Sequence, residues 1–173
     1  SSQEIAQAVQ AGVGHVVVDN HTDIDLLEQH VPSGAVQRVQ LRVAPGISPD
    51  THPSISTGGP NTKFGFGLQS APAAIERLDA SDRLELEGLH LHIGSQIYDV
   101  GSFRTALEAM AGLASHGMVN LGGGLGVAYV SAEHPPTIEE YVADKVSAVH
   151  DVMGPGVRIL DEPDVIRKKL KSA

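Results

Sequence analysis

Apolar residues recur at helical spacing from Glu4 through Ile5, Val9 and Ala11, and after Gly12 and Gly14 they collapse into the continuous run Val16-Val17-Val18-Asp19. That succession predicts helix, turn and buried strand. Asp23 to His30 is again amphipathic, and Val36 to Val43 alternates as a strand does before Ala44-Pro45-Gly46 ends it. Further on, Ala71–Leu78 predicts a helix, Leu84–Ile93 a strand, Ser102–Ala114 a helix and Met118–Leu121 a short strand. Ile138–Val152 predicts a helix, Val157–Leu160 a last strand and Asp164–Lys171 a closing helix. Between residues 47 and 67 Ser, Thr, Pro, Gly, Asn and Asp dominate, a length of irregular chain that usually carries function at a sheet rim.

Roughly five strands, each followed by a helix, predict an α/β fold with a parallel sheet and crossover helices. The pattern allows an open doubly wound sheet or part of a (β/α) barrel. A whole barrel needs eight strands and typically about 250 residues, more than 173 residues supply. One domain is expected, with a core of Val, Leu, Ile and Ala, because aromatic residues are only 3% of the chain.

Charge and composition narrow the partners. A formal net charge of -9 repels nucleic acid and anionic lipid, so neither is expected as a partner. The basic cluster Arg167-Lys168-Lys169-Leu170-Lys171 reads as a solvated helix end. With no cysteine, disulfides, thiolate metal ligands and a cysteine nucleophile are excluded. No stretch reaches the roughly 20 apolar residues of a membrane span, and Ser1-Ser2-Gln3-Glu4 has no signal pattern. A soluble, cytoplasmic protein is expected.

Two motifs carry the chemistry. Gly88-Leu89-His90-Leu91-His92-Ile93-Gly94-Ser95-Gln96-Ile97 and Val119-Asn120-Leu121-Gly122-Gly123-Gly124-Leu125-Gly126 each end an apolar run with small residues and hydrogen-bond donors. Two strands then deliver His92, Ser95 and a glycine turn to one rim of a parallel sheet, where α/β folds bind ligands. Glycines at Gly122, Gly123 and Gly124 permit positive φ and let main-chain N–H groups converge on phosphate oxygens. The turn lacks the Lys-Ser or Lys-Thr of a Walker loop and the acidic ribose ligand of a dinucleotide site. An imidazole at His92 can stack on a planar ring whose phosphate Ser95 reaches, although a strand-end histidine also serves as an ordinary hydrogen-bonded residue. His90 shares its strand face, but no third ligand follows at diagnostic spacing, so no metal is expected.

Three further residues have competing readings. Glu162 ends the last predicted strand, where it either keeps a heterocyclic nitrogen protonated or serves the first turn of the next helix. Arg42 ends its strand as well, to meet a cofactor oxygen or pair with an acid such as Asp19. Lys63 reads as a surface lysine.

Taken together, the Gly88–Gln96 and Asn120–Gly126 motifs, the Ile55-Ser56-Thr57 to Lys63-Phe64-Gly65 loop and Glu162-Pro163 closely resemble the diaminopimelate decarboxylase family, along nearly the whole chain up to Pro163. The resemblance implies an alanine-racemase-like (β/α) TIM-type barrel, here partial over residues 1–173, and pyridoxal 5'-phosphate as cofactor. It implies that His92 stacks on the pyridine ring, that Ser95 and Gly122 to Gly124 hold the phosphate, that Glu162 faces the pyridine nitrogen and that Arg42 approaches the phenolic oxygen. The implied reaction converts meso-diaminopimelate to L-lysine and carbon dioxide, with a small amino acid as substrate and a homodimer as a compatible assembly.

The departures from the family are specific. No tyrosine-alanine-x-lysine-alanine segment with the Schiff-base lysine stands among the 173 residues, and the family's C-terminal β domain is expected to be absent. The family's Glu-Pro-Gly-Arg stands here as Glu162-Pro163-Asp164-Val165, and the Ala114–Met118 connection is short. A chain inactive by itself is therefore expected, with no catalytic residue assigned. A non-catalytic phosphate-binding or interaction protein related to these decarboxylases is the alternative.

Overall fold

Helix ends are set by local chemistry. In the helix His21–His30 (α2), Asn20 at the N-cap accepts a hydrogen bond of 3.0 Å from the Asp23 N–H. The helix Ile138–Met153 (α5) opens with a capping box, in which the Thr137 hydroxyl accepts from the Glu140 N–H and the Glu140 carboxylate accepts from the Thr137 N–H. It stops at Gly154, whose φ of 92° a side chain would resist. The computed structural model describes residues 1–47, 63–113 and 117–157; the first helix is Ser2–Gln10 (α1).

Five parallel strands form the sheet: Val16–Val18 (β1), Gln37–Ala44 (β2), Phe66–Gly67 (β3), Leu84–Leu91 (β4) and Met118–Asn120 (β5). Their order is β1-β2-β4-β5, with the short β3 paired to the end of β2. Helices α2, Ala71–Asp79 (α3) and Gly101–Met110 (α4) make the crossovers. A doubly wound sheet reverses its strand order at a switch point. Here β1, β2, β4 and β5 advance in one direction with the chain, so of the two architectures open to the sequence the molecule is the partial barrel, unclosed among the described residues.

Side chains alternate across this sheet. Val18, Val39, Leu41, Val43, Leu89 and Leu91 are fully or almost fully buried and belong to one core with Ile24, Leu27, Ala74, Leu78, Phe103 and Met110. Each such aliphatic side chain contributes about 1.5–3 kcal/mol of transfer free energy. The opposite face carries Arg38, Gln40, Arg42 and His90.

The predicted elements recur with shifted ends. The strand expected to reach Ile93 leaves the sheet after Leu91, and the helix expected over Ser102–Ala114 finishes as a 3-10 turn at Ala111–Leu113. The irregular stretch hides β3, which forms because Phe66 buries its ring while Gly65, at φ 74°, turns the chain beside Arg42. Val157 lies outside any strand, and the rest of the predicted last strand, Glu162, the closing helix with its basic cluster and Ile55–Thr57 lie outside the described residues. Among the described residues no helix is long and apolar enough to cross a membrane.

Candidate functional site at the C-terminal rim

The inner face of the sheet is polar where its outer face is aliphatic. Arg42 stands opposite His90, and His90 opposite Asn120, so three adjacent strands contribute one row. Asp19, one residue past β1, completes it by accepting a 2.8 Å charged hydrogen bond from Arg42 Nη1. The Arg42 guanidinium also lies over the Phe64 ring, 4.8 Å from its centroid. Asn120 works in two directions: its amide donates to Gln40 Oε1 at 3.1 Å, and its Oδ1 accepts from the Gly122 N–H at 3.0 Å. Within this row the buried Nδ1 of His90 has no hydrogen-bond partner among the described residues.

Above the row, the chain leaving β4 meets the chain leaving β5. Gly122 has a φ of 63°, and a Cβ there would stand 2.5 Å from the Leu91 carbonyl oxygen and 3.0 Å from His92 Nδ1. Only glycine permits both the left-handed backbone and that approach. Gly123 instead faces open space, with nothing within 4 Å of an added Cβ.

The two segments are fastened further along. The Ile97 N–H donates to Gly124 O at 2.8 Å, and the Gly126 N–H donates to Ile97 O at 3.1 Å. The Gln96 side chain then imitates another peptide: its amide donates to Val127 O and its Oε1 accepts from the Val127 N–H, both at 3.0 Å. Gln96 holds a positive φ of 54° to do so. The N–H groups of Gly123 and Gly124 donate to no acceptor among the described residues. Two such donors beside an imidazole suit an anionic group attached to a flat ring.

Electrostatics sharpen this arrangement. Burial, the Arg42 charge and the Lys145 charge hold His92 below its ordinary value. Burial, Arg42 and His92 do the same to His90, against smaller opposing contributions from Asp19 and Asn120. The two rings lie parallel, 4° apart in plane with centroids at 6.4 Å. A neutral imidazole presents a face for stacking without adding a cation.

Of the residues singled out in the sequence, Arg42, His92, Ser95 and Gly122 to Gly124 all lie on or beside the rim at the C-terminal ends of β2, β4 and β5, with Ser95 exposed. Glu162 lies outside the described residues. Arg42 adopts the pairing with Asp19, one of its two readings. Lys63 is exposed, its ammonium 5.1 Å from the Phe64 centroid. Sequence reasoning missed Lys145 of α5, which donates to the Gly122 carbonyl at 2.9 Å. A signal existed: Tyr141, Lys145, Ala148 and Val149 share the helical spacing of a buried stripe, and a lysine is out of place there. An open cleft of about 600 Å³ lies at the other end of the sheet, lined by Gly12, Val13, Gly14, Val36, Gln37 and Arg38, where (β/α) barrels do not place catalytic groups.

Residues 1–165 match the pyridoxal-binding domain of pyridoxal-dependent decarboxylases. Diaminopimelate decarboxylase of Mycobacterium tuberculosis is 41% identical over 167 residues, covering 87% of this chain and 37% of the relative. The Bacillus subtilis enzyme of that name is 36% identical over 163 residues, with 87% and 37% covered. The chain thus spans under two-fifths of the length of these curated relatives. Among solved structures, Helicobacter pylori diaminopimelate decarboxylase in complex with L-lysine superposes with a TM-score of 0.78 at 30% identity, over 87% of this chain and 40% of that one. An arginine decarboxylase of a Chlorella virus, at 18% identity and a TM-score of 0.66 over 90% of this chain and 40% of that one, shares the fold.

Proposed function

This chain belongs to the pyridoxal-dependent decarboxylases, whose pyridoxal-binding domain residues 1–165 match, and from that membership we propose that it is the cofactor-holding barrel segment of a diaminopimelate decarboxylase. The observation that carries the reading is the fastening of the His92–Ile97 segment to the Gly122–Val127 turn, which leaves two glycine N–H groups and a neutral imidazole together. These residues fit pyridoxal 5'-phosphate: the backbones of Gly122 and Gly124 pack against the Leu91 and Gly94 carbonyls, an approach that any Cβ would prevent, and Gly123 between them faces open space.

Each residue has its part in that reading. The Gly123 and Gly124 N–H groups, with the exposed Ser95 hydroxyl, bind the phosphate. His92 lies against the pyridine ring, kept neutral by burial and the nearby cations. Arg42, held by Asp19, directs its remaining N–H groups to the phenolic oxygen, and Glu162 keeps the pyridine nitrogen protonated. The bound cofactor supplies an electron sink for the bond pair left when carboxylate departs. The substrate in this reading is meso-diaminopimelate, decarboxylated at its D-centre to L-lysine in a cytoplasmic biosynthetic step. The diaminopimelate decarboxylase of Helicobacter pylori, solved with L-lysine, supports the substrate class.

Residues 1–173 form one partial barrel domain in this proposal, and by themselves they do not turn over substrate, because no counterpart of the family's cofactor-anchoring lysine is among them. The purified chain is titrated with pyridoxal phosphate, reduced with borohydride, and assayed for carbon dioxide from meso-diaminopimelate. A saturable spectral change without a reduced lysine adduct and without carbon dioxide is expected. Robust turnover would refute the inactivity, and no spectral change would refute the cofactor. A second reading, a non-catalytic phosphate-binding protein, draws on the same two glycine donors, which have no partner among the described residues; binding of inorganic phosphate in preference to the cofactor would favour it.

A further inference from the structure

Lys145 has no carboxylate partner among the described residues, although its side chain is half-buried. Its Nζ lies 4.0 Å from the centroid of Phe103 and 4.3 Å from that of Tyr141, and its only hydrogen bond among the described residues goes to the Gly122 carbonyl. The amine is pulled down to about 8 by burial, so the fold keeps an ammonium at a position where an aliphatic side chain would sit more easily. Two aromatic faces stabilise the cation and leave the Gly122 oxygen as its one polar contact among the described residues.

That oxygen belongs to the peptide unit whose other end is the Gly123 N–H. A cation bonded to a peptide oxygen draws electron density along the O–C–N system, and the N–H of the same unit becomes a stronger donor. The preceding peptide unit is held as well, because the Gly122 N–H donates to Asn120 Oδ1 at 3.0 Å. The Gly123 N–H donates to nothing among the described residues.

We propose that Lys145 is a positioning residue that polarises the Gly122–Gly123 peptide and makes the Gly123 N–H the strong donor of an anion seat for a phosphate monoester. The inference rests on the cofactor reading above for the identity of the monoester, and on this chain's geometry for the seat. Lys145 touches no ligand in this account; it acts through one peptide bond.

The test compares the full 173-residue chain with Lys145→Met and Lys145→Arg, titrated calorimetrically with inorganic phosphate and, separately, with pyridoxal phosphate. Amide spectra of Gly123 and thermal melts are recorded alongside. Lys145→Met is expected to weaken both ligands about tenfold, consistent with one charge removed at short range. It should move the Gly123 amide proton upfield and leave the melting temperature equal or higher; Lys145→Arg should restore most of the affinity. Unchanged affinity in Lys145→Met, or a loss accompanied by a lowered melting temperature and no recovery with arginine, would overturn the proposal. Wild type that takes phosphate with this dependence but rejects pyridoxal phosphate would refute the cofactor reading and uphold the seat. Wild type that takes neither would refute both.

Discussion

A methyl group on Gly88 would occupy the space of the Met118 main chain: the Cβ position of one lies inside contact distance of the carbonyl oxygen, carbon and nitrogen of the other. The two residues are register partners between β4 and β5, and β4 carries a bulge beside them, where the pairing with β2 skips Glu87. The Glu87 carboxylate pairs with His15 and Arg38.

Gly88→Ala should therefore destabilise the fold by about 3 kcal/mol or more, since the colliding atoms are backbone and cannot rotate away. Urea denaturation would show this as a lowered midpoint. A variant within 0.5 kcal/mol of wild type, roughly the tolerance of a surface change, would mean that β5 can withdraw from β4.

Gly122 and Gly123 are expected to part company. Gly122→Ala meets the Leu91 carbonyl at a positive φ and should lose about 1–3 kcal/mol of stability. Gly123→Ala has open space and no positive φ, so stability should stay within about 0.5 kcal/mol. The new methyl group would nonetheless stand beside the donor proposed for the phosphate. Calorimetric titration of Gly123→Ala should show pyridoxal phosphate binding weakened; retained affinity would move the phosphate elsewhere.

Asp19→Ala removes the partner of a half-buried guanidinium, which stays aimed across the inner face. A loss of about 1–3 kcal/mol is expected, the cost of a charge-assisted bond in a partly screened position. Thermal melts would register it, and the double variant Asp19→Ala/Arg42→Met should recover part of the loss, because the unpaired charge is then gone. Failure to recover would show that Arg42 is stabilised chiefly by its stack on Phe64.

Acid should weaken the inner face through His90 and His92. Burial, and then the Arg42 charge, hold both below the ordinary histidine value. From about pH 6.5 downward the unfolded chain gains protons that the folded chain refuses. Their stabilising contribution is thus fully present above that pH and is lost as pH falls through the folded values. Urea midpoints measured from pH 7.5 to 5 should fall more steeply for wild type than for His90→Gln/His92→Gln. Equal slopes would assign the acid sensitivity to the carboxylates.

Much of the barrel was legible because its strands announce themselves: Val16–Val18 is continuously apolar, and Val39–Val43 and Leu84–Leu91 place apolar residues at alternate positions. The rim motifs were legible too, because glycine beside hydrogen-bond donors at a strand end has few uses. Direction of strand order was not, since hydrophobic periodicity gives the same signal for a sheet that reverses and one that advances. β3 escaped because two residues cannot display a period of two, and the bulge at Glu87 escaped because it is a matter of register against β2, which no local pattern displays. Lys145 was passed over for a different reason. Read alone, a lysine on a helix is a solvated charge, and its meaning comes from Phe103, Tyr141 and the Gly122 carbonyl converging on it from three elements.

The Gln96–Val127 clasp has a bearing on how such a chain tolerates change. The stretch between the two fastened segments, from Tyr98 to Leu121, is an excursion tied at its tips by the Ile97 and Gln96 bonds and once more where β5 pairs with β4. Residues added to or removed from the connection after α4 alter the size of a closed loop, and doubling a flexible loop costs only about 0.6 kcal/mol. The spacing between imidazole and glycine turn is thereby insulated from insertions and deletions along the route that joins them.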